Sequence, residues 1–159
     1  FREEQRFRQP WIWVAFGVGT LGVVAALIAG LTEARGAARP AGEPVAVLVA
    51  IGVVWALMAW LIARMRLITE VRDDGLLIRF EPLTRRLIPF DQIDSCEPRT
   101  YRPLAEYGGW GIRYGWRGMA YNVSGNRGVQ LVLVNGKRVL VGSQRAEELA
   151  AAVRGKLKR

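Results

Sequence analysis

Apolar residues are concentrated in two stretches near the start of the chain. The first covers residues 11–31 and contains a single polar side chain, Thr20, while the second covers residues 45–63 and contains no charge. A helix rises about 1.5 Å per residue, so the first stretch would measure about 31 Å, close to the hydrocarbon thickness of a bilayer. A signal peptide is the alternative for the first stretch, but its apolar part is usually only about 7–15 residues long. The pattern therefore predicts two transmembrane helices.

Small residues recur at a four-residue spacing in both stretches, which lets two helix backbones approach closely in lipid. These positions are Gly22, Ala26, Gly30, Ala46, Ala50, Gly52 and Ala56. Because only residues 32–44 connect the stretches, we expect an antiparallel hairpin in which at least one strip of small residues packs against the other helix. The other strip would be available to a partner membrane protein. The alternative is that glycine and alanine are simply common in such helices.

Positive charges near the helix ends predict the orientation in the membrane. Three arginines precede the first stretch, two lie in the connector and three follow the second stretch: Arg2, Arg6 and Arg8, then Arg35 and Arg39, then Arg64, Arg66 and Arg72. Both termini are therefore expected in the cytoplasm, with the chain in the bacterial inner (cytoplasmic) membrane. The residues expected at the membrane interface are Trp11, Trp13, Trp60, Arg64 and Arg66. Trp55 lies deeper and is expected to pack.

The rest of the chain, residues 64–159, has the pattern of short strands followed by one helix. The segments expected as strands are residues 67–72, 76–81, 86–90, 93–102, 129–134 and 137–141. An acidic connection at residues 73–75 joins the first pair into a hairpin. Pro89 restricts the third strand to an edge or end position, because proline has no amide hydrogen. The Asn135-Gly136 pair predicts a two-residue type I′ turn in the last hairpin.

The closing segment predicts an amphipathic helix. Ser143 is suited to the N-cap position, and one face at helical spacing would be buried: Ala146, Leu149, Ala150, Val153 and Leu157. The sequence thus divides into a membrane hairpin, residues 1–63, and a cytoplasmic domain, residues 64–159.

Composition excludes several kinds of chemistry. The chain has 159 residues with no histidine and one cysteine, which excludes catalytic triads that use histidine, zinc sites of the usual Cys/His type and internal disulfides. There are 23 Lys+Arg against 14 Asp+Glu, a net charge of +9, and residues 64–159 carry +8 of it. Such a charge favours acidic partners and anionic lipid headgroups.

Residues 101–128 combine aromatic, arginine and glycine residues, and the first two types are enriched at the buried centres of protein interfaces. The candidate docking residues are Tyr107, Trp110, Arg113, Tyr114, Trp116, Arg117, Tyr121 and Arg127. The alternative is that the rings fill the core while the glycines form turns, and both hold if alternate side chains face in and out. Rings and cations also bind single-stranded nucleic acids, but the basic charge is spread along the domain, so we do not expect a nucleic-acid partner.

The chain contains no complete phosphate-loop or dinucleotide-binding motif. Its carboxylates at Asp91, Asp94, Glu97 and Glu106 are of a kind that is usually solvated or paired with arginine. Cys96 lies in a strand pattern without a histidine to activate it and is expected to be a packing residue. We therefore expect no enzymatic activity, no cofactor and no metal site.

Two segments, residues 85–96 (RRLIPFDQIDSC) and residues 129–153 (VQLVLVNGKRVLVGSQRAEELAAAV), resemble bacterial PH-like domains of small uncharacterised membrane proteins, in which two transmembrane helices precede the module. The resemblance covers the helix hairpin and about the last 95 residues. It implies a mainly β, partly open barrel of seven strands with a C-terminal α-helix, and a binding rather than a catalytic role. Asp73 and Asp74 occupy the first hairpin loop, where phosphoinositide-binding PH domains carry basic residues, so that lipid site is not expected here.

Together these patterns predict a non-enzymatic accessory or scaffolding subunit. The hairpin would hold it in the inner membrane, and the basic PH-like domain would dock on and stabilise a larger complex of integral membrane proteins, such as a photosynthetic or respiratory assembly. The alternative is a free-standing, membrane-tethered sensor or binder of a lipid, peptide or small ligand, with its pocket in the glycine- and aromatic-rich segment.

Overall fold

The computed structural model of the chain describes residues 1–7, 9–36, 42–115 and 118–157. The chain divides into two compact units: one contains Arg8–Ala63, and the other combines Phe1–Phe7 with Arg64–Arg159. The first unit is helical, whereas the second contains two β-sheets and two further α-helices. The first seven residues, which the sequence grouped with the membrane hairpin, thus belong to the β-rich unit.

Two long helices, α1 (Pro10–Gly36) and α2 (Gly42–Arg64), dominate the first unit. Segments of 21 and 19 residues within them have mean hydropathies of 2.3 and 2.5 and could cross a membrane by length and composition. Pro10 suits the first helical turn, where its missing amide hydrogen is not needed. The two apolar helices expected from the sequence are therefore present, and α1 continues past the apolar stretch to Gly36.

Trp55 of α2 packs against α1, as its deep position in the sequence predicts. Its ring centroid lies 4.9 Å from that of Phe16, and its Nε1 atom donates a hydrogen bond of 3.2 Å to Oγ1 of Thr20. A Cβ atom added at Gly19 would lie 2.2 Å from the indole ring. Gly19 therefore leaves the space that the indole fills, and the one polar side chain of the first stretch is hydrogen-bonded within the hairpin.

Only part of the expected small-residue strips lies at the contact between the helices. The Cβ position of Gly30 lies 3.3 Å from Leu48, and that of Gly52 lies 3.5 Å from Val23. The later residue of α1 contacts the earlier residue of α2, which confirms that the two helices are antiparallel. Ala26 is half-buried. The remaining small residues lie outside this contact: Gly22, Ala46, Ala50 and Ala56. Some small residues thus lie between the helices, whereas the others are on the outside, as the sequence left open for a partner membrane protein. The indole of Trp55 over Gly19 adds a contact that the Gly/Ala spacing did not predict.

Replacing Gly19 by alanine is expected to lower the thermal midpoint of the full chain in detergent micelles. The added methyl group would overlap the indole ring of Trp55, which must move and lose its hydrogen bond to Thr20. Gly22→Ala is the matched control, because its Cβ position is open and alanine has the higher helix propensity by about 1 kcal/mol. Circular dichroism during heating compares the variants, and equal midpoints would show that the hairpin does not depend on this contact.

The described part of the second unit contains nine strands in two sheets. The first sheet consists of β1 (Arg2–Arg6), β2 (Arg66–Val71), β3 (Leu76–Glu81) and β4 (Thr84–Ile88), in that order. The second sheet consists of β5 (Ile93–Thr100), β6 (Gly111–Gly115), β7 (Gly118–Asn122), β8 (Arg127–Leu133) and β9 (Arg138–Gly142), in the spatial order β5-β8-β9-β7-β6. The helices of this unit are α3 (Pro103–Tyr107) and α4 (Ala146–Leu157).

The two sheets do not close into a barrel, in contrast to the partly open barrel that the resemblance implied. Neither outer strand of the first sheet, β1 or β4, pairs with an outer strand of the second, β5 or β6. The chain leaves β4 at Ile88, and Pro89 has no amide hydrogen with which to extend the ladder. A single 3₁₀ turn, Phe90–Gln92, then leads into the second sheet. Pro89 thus stands after an edge strand, the position expected for it.

The sequence predicted six of these strands and missed three. The β2–β3 hairpin, β4, β5 and the β8–β9 hairpin lie where the apolar patterns placed them, within a few residues. Strand β1 was missed because it is short and mostly polar. Strands β6 and β7 were missed because their segment is rich in glycine, which is depleted in strands.

The β8–β9 turn differs from the predicted two-residue type I′ turn. The amide of Gly136 donates to the carbonyl oxygen of Leu133 at 2.7 Å, and the Leu133 amide donates to the Lys137 carbonyl oxygen at 2.8 Å. Three residues therefore lie between the hydrogen-bonded pair Leu133 and Lys137, not two. Gly136 has a φ of 76°, whereas Asn135 does not have the positive φ that a type I′ turn requires. Instead, the Asn135 side-chain oxygen accepts a hydrogen bond of 3.0 Å from the Lys137 amide.

Side chains from both sheets and from α4 form one hydrophobic core. Its completely buried members include Leu67 and Phe80 of the first sheet and Leu131 of the second. The predicted face of α4 is buried at Ala146, Leu149, Ala150 and Val153 and half-buried at Leu157. Burial of one large apolar side chain contributes about 1.5–3 kcal/mol, so this core holds the sheets and the helix together.

Buried polar residues of β1 attach the first sheet to the start of α4. The carboxylate of Glu3 accepts hydrogen bonds from Ser143 Oγ at 2.5 Å and from the Gln144 amide at 2.9 Å. Gln5 Nε2 donates to the carbonyl oxygen of Gly142 at 2.9 Å. The Ser143 oxygen also accepts a hydrogen bond from the Arg145 amide. Because α4 begins at Ala146, Ser143 stands three residues before the helix rather than directly before it, where an N-cap lies. Glu3 and Ser143 together cap the turn that leads into α4.

Glu3→Ala is expected to destabilise the full chain by about 1–3 kcal/mol, because the Ser143 hydroxyl and the Gln144 amide would lose a buried acceptor. Glu4→Ala is the matched control, because this neighbouring carboxylate is exposed and forms surface ion pairs, which contribute little. Urea unfolding in micelles, followed by circular dichroism, measures the difference. The capping role would be wrong if both variants lost the same stability.

Candidate functional site

A basic groove lies where β4 meets β7 and the β8–β9 turn. It has a volume of about 530 Å³ and is lined by three cationic side chains, those of Arg86, Lys137 and Arg138. Tyr114 and Met119 also line it. The three cations come from distant parts of the sequence, and the fold brings them to one concave surface.

Arg86 is held in the groove by residues of the second sheet. Its Nη1 atom lies 3.4 Å from Sδ of Met119 and donates a hydrogen bond of 3.5 Å to Oη of Tyr121. The Tyr121 hydroxyl in turn donates to the same sulfur atom at 3.3 Å. The guanidinium is thus positioned by two neighbours that carry no charge, and its positive charge is not neutralised by them.

Close backbone contact between β7 and β9 shapes one wall of the groove. A Cβ atom added at Gly118 would lie 2.2 Å from the carbonyl oxygen of Arg138, so the two strands approach closely only because this residue is glycine. On the other wall, nothing lies within 4 Å of the Cβ position of Gly136. The groove therefore remains open beside the turn that carries Lys137.

Most of the described arginines of this unit are paired with carboxylates. Glu70 alone contacts three of them: its oxygens lie 2.6 Å from Arg72, 3.3 Å from Arg2 and 3.3 Å from Arg79. The hydrogen bond from Arg72 is the largest cause that holds the pKa of Glu70 below its usual value. Other pairs are Arg66–Glu81, Arg99–Glu106, Arg127–Glu147 and Arg145–Glu148.

The groove differs from this pattern. Among the described side chains, no carboxylate lies within ion-pair distance of Arg86, Lys137 or Arg138, and no acidic residue lines the cavity. Three positive charges on one concave surface favour an anion. The groove is therefore the strongest candidate for a ligand site in the described part of the unit.

The aromatic segment singled out in the sequence is divided between core and surface. Tyr107 and Tyr121 are only 4% and 2% exposed, which corrects their assignment as docking residues. Tyr107 packs edge-on against Tyr101 with ring centroids 6.0 Å apart. Trp110 is half-buried, and its Nε1 atom donates to the Gly125 carbonyl oxygen at 2.9 Å. These rings stabilise the fold.

The exposed part of the segment is at β6. Tyr114 is 83% exposed, and Arg113 is exposed with its Nε atom donating to the Trp110 carbonyl oxygen at 3.0 Å. Arg127 is exposed but forms an ion pair with Glu147. The candidate residues Trp116 and Arg117 lie outside the described residues.

The residues expected at the membrane interface occupy different settings. Trp11, Trp13 and Trp60 are 56%, 41% and 55% exposed on the two apolar helices, and Arg64 is exposed at the end of α2. Arg66, in contrast, belongs to β2 and pairs with Glu81 at 2.8 Å and with Glu4 at 3.6 Å. Its charge is used within the β unit, which corrects its assignment to lipid headgroups.

Groups with reactive side chains are buried away from the groove. Burial raises the pKa of the Cys96 thiol, whose Sγ atom lies 3.5 Å from the Ala150 carbonyl oxygen. Burial also raises the pKa of Tyr101 to about 12, and its oxygen accepts a hydrogen bond from Asn122 Nδ2 at 3.0 Å. A thiol in this state is a packing group rather than a nucleophile. Among the described residues there is no group of three or more Cys, Asp or Glu that could hold a metal ion.

Comparison with protein families matches residues 25–158, which include the end of α1, all of α2, every strand from β2 onward and the whole groove. The chain belongs to a family of unknown function (DUF6141). The matched region thus contains both an apolar helix and the β-rich strands that follow it. No curated protein and no solved structure matches the chain.

Sequence reasoning missed the groove. Lys137 and Arg138 stand directly after the Asn135-Gly136 pair, so the sequence does place two adjacent cations at the start of a strand. Nothing in the sequence shows that Arg86, about fifty residues earlier, lies across from them. One signal was available in the sequence. Within the predicted strands, no Asp or Glu stands next to Arg86, Lys137 or Arg138.

Glu70→Gln is expected to lower the free energy of unfolding by about 1–2 kcal/mol at neutral pH, because three arginines would lose a charged partner. The pKa of Glu70 in the folded chain is below the ordinary value of 4.5. The stabilisation is therefore fully present above about pH 4.5 and is lost as the pH falls through the lower folded-state pKa.

Urea unfolding at neutral and at acidic pH measures this dependence. The wild-type chain and the Glu70→Gln variant should differ at neutral pH and converge in acid. Glu148→Gln is the matched control, because Glu148 is exposed and pairs with a single arginine, Arg145, so a smaller change is expected. A difference that persists unchanged in acid would contradict the assignment.

Proposed function

We propose that the chain is a non-enzymatic, membrane-anchored accessory subunit that docks on a larger complex of integral membrane proteins. The helices α1 and α2 would anchor it in a bacterial inner membrane with both termini in the cytoplasm. The β unit, with the charge of +8 on residues 64–159, would contact an acidic face of that complex. The observation that carries the proposal is the exposure of Tyr114 on an outer strand.

Tyr114 is the feature of the β unit that best fits a docking surface. It is 83% exposed while Tyr107 and Tyr121, from the same segment, are in the core. Tyrosine and arginine are the residue types that most often dominate binding energy at interfaces, and Arg113 stands beside it. Strand β6 is an outer strand of its sheet, so these side chains are carried on a rigid element at its edge.

We further propose that the β unit is a variant of the PH-like domain with separated sheets. The supporting features are the two apolar helices that precede it and the strands that precede one amphipathic C-terminal helix, α4, whose apolar face packs on both sheets. A binding role, rather than catalysis, agrees with the buried Cys96 and with carboxylates that are paired with arginine.

A second candidate function is a membrane-tethered binder of a small ligand or lipid. The basic groove favours it, because a concave site with an aromatic ring and three cations that no described carboxylate pairs is typical of ligand sites rather than of flat protein interfaces. The pocket differs from the one expected from the sequence, since it is formed by β4 and the β8–β9 turn as well as by the aromatic segment.

Co-purification in mild detergent from carbonate-washed membranes tests the docking function. We expect integral membrane proteins to co-purify in stoichiometric amounts with the wild-type chain. The double variant Arg113→Ala and Tyr114→Ala should reduce their recovery at least about tenfold, a loss within the range of one interface hot spot. Thermal midpoints in micelles should be unchanged, because both side chains are exposed.

The matched control is the double variant Leu83→Ala and Arg85→Ala, which also removes one exposed apolar side chain and one cation, but from the β3–β4 region. It should recover the same partners as the wild-type chain. The docking function would be overturned if the wild-type chain purified alone, or if the two double variants lost partners equally.

A further inference from the structure

We propose that the basic groove binds the phosphoryl group of an organic phosphate. The three cations Arg86, Lys137 and Arg138 would contact the phosphoryl oxygens, and the carbon skeleton would lie against Tyr114 and Met119. This inference rests on the second candidate function and names the chemical class of its ligand. It is independent of docking through Arg113. The phosphoryl group can come from a lipid headgroup or from a soluble metabolite, which share this chemistry.

The number and kind of the cations favour a phosphoryl group over a singly charged anion. A phosphomonoester carries about −1.5 to −2 charges at neutral pH and three acceptor oxygens. Arg86 offers a planar fork of N–H donors that matches two of these oxygens. Lys137 and Arg138 add two further positive charges, and no described acidic side chain lines the groove to oppose them.

Two contacts orient Arg86 in the chain without a ligand. Its guanidinium contacts Met119 Sδ at 3.4 Å and Tyr121 Oη at 3.5 Å, and Tyr121 is itself a core residue that is 2% exposed. A side chain held by the core loses little conformational freedom on binding, which favours affinity. Because neither contact is a carboxylate, the full positive charge is available to an anion.

The size and lining of the groove indicate more than an inorganic ion. Its volume of about 530 Å³ lies within the range of about 300–1,000 Å³ that is typical of small-molecule sites. Tyr114 presents an exposed ring at one side, and the partly buried Met119 contributes apolar surface. A sugar, glycerol or base attached to the phosphate would contact these side chains, whereas a free phosphate would leave them uncovered.

The groove is distinct from the hairpin loop in which PH domains hold phosphoinositides. In this chain the corresponding β2–β3 connection contains Asp73 and Asp74, and Lys156 Nζ lies 2.6 Å from the Asp73 carboxylate. Acidic residues at that loop repel a phosphate, whereas the groove formed by β4 and the β8–β9 turn attracts it. The basic groove therefore lies at a different place in the fold from the loop that binds phosphoinositides in PH domains.

Isothermal titration of the full chain in non-ionic detergent micelles tests the proposal. Three probes are compared at physiological ionic strength: adenosine 5′-monophosphate, glycerol 3-phosphate and micelles doped with phosphatidic acid, with phosphatidylcholine-doped micelles as the blank. We expect saturable binding of at least one phosphate probe with a stoichiometry of about one. The double variant Lys137→Gln and Arg138→Gln should weaken it at least about tenfold, as the loss of two charge-assisted contacts requires.

The matched control is Arg85→Gln combined with Arg113→Gln, which removes the same charge from exposed positions that do not line the groove. Its affinity should stay within about twofold of the wild type, because screening makes exposed charges at a distance nearly ineffective. Thermal midpoints of both double variants should equal that of the wild type. Binding of phosphatidic acid alone identifies a headgroup, and binding of either soluble probe identifies a soluble phosphate.

Two results would overturn the inference. One is that none of the three phosphate probes binds saturably to the wild-type chain, and the other is that both double variants lose affinity equally. The docking function is tested separately, since the Lys137→Gln and Arg138→Gln variant should still recover its membrane partners. If that variant loses its partners while the wild-type chain binds no probe, the groove is part of a docking surface and binds no small phosphate.

Discussion

The β unit depends on the way in which two unclosed sheets are joined. Apolar side chains of both sheets meet in one core, and the carboxylate of Glu3 binds Ser143 in the turn that leads into α4. Arg86 lies on the first sheet, whereas Arg138 begins strand β9 of the second sheet and Lys137 lies in the turn before it. The groove therefore exists only while the sheets keep this relative position. In a closed barrel, backbone hydrogen bonds between the sheets would fix this geometry. Here side-chain packing and side-chain hydrogen bonds fix it.

The sequence predicts best those elements whose pattern is local. Alternating apolar residues gave the β2–β3 and β8–β9 hairpins, and the helical spacing from Ala146 to Val153 gave the buried face of α4. It fails where structure depends on a distant partner. Strand β1 forms because it pairs with β2, which follows both long helices in the sequence, and its own short polar pattern gives no sign of this. The turn at Asn135 is a separate case: it is local, but the Asn-Gly pair does not by itself decide whether one residue or two take a positive φ.

The candidate site shows the same limit more strongly. Composition drew attention to aromatic and arginine residues between Tyr101 and Gly128, but it could not separate Tyr121 in the core from Tyr114 at the surface. In the register of β6 against β7, Tyr114 is opposite Met119 and Tyr121 is opposite Ile112, so both tyrosines lie on the same face of the sheet. Tyr114 is exposed because it lies near the end of the outer strand β6, whereas Tyr121 lies in β7 between two other strands. The groove cations could not be grouped at all, because Arg86 and Lys137 meet only through packing of one sheet on the other.

The net charge of the chain overstates the charge that is available to a partner. In residues 64–159 there are 18 Lys+Arg, yet Glu70 alone contacts Arg72 and Arg79, and other carboxylates neutralise further arginines at the surface. Surface pairs of this kind contribute little to stability, but they remove isolated positive charge. Cations without such partners, among them Arg86 and Arg138, therefore determine where an anion is attracted. For the described surface, the distribution of unpaired charge and not its total thus determines where an anion is attracted.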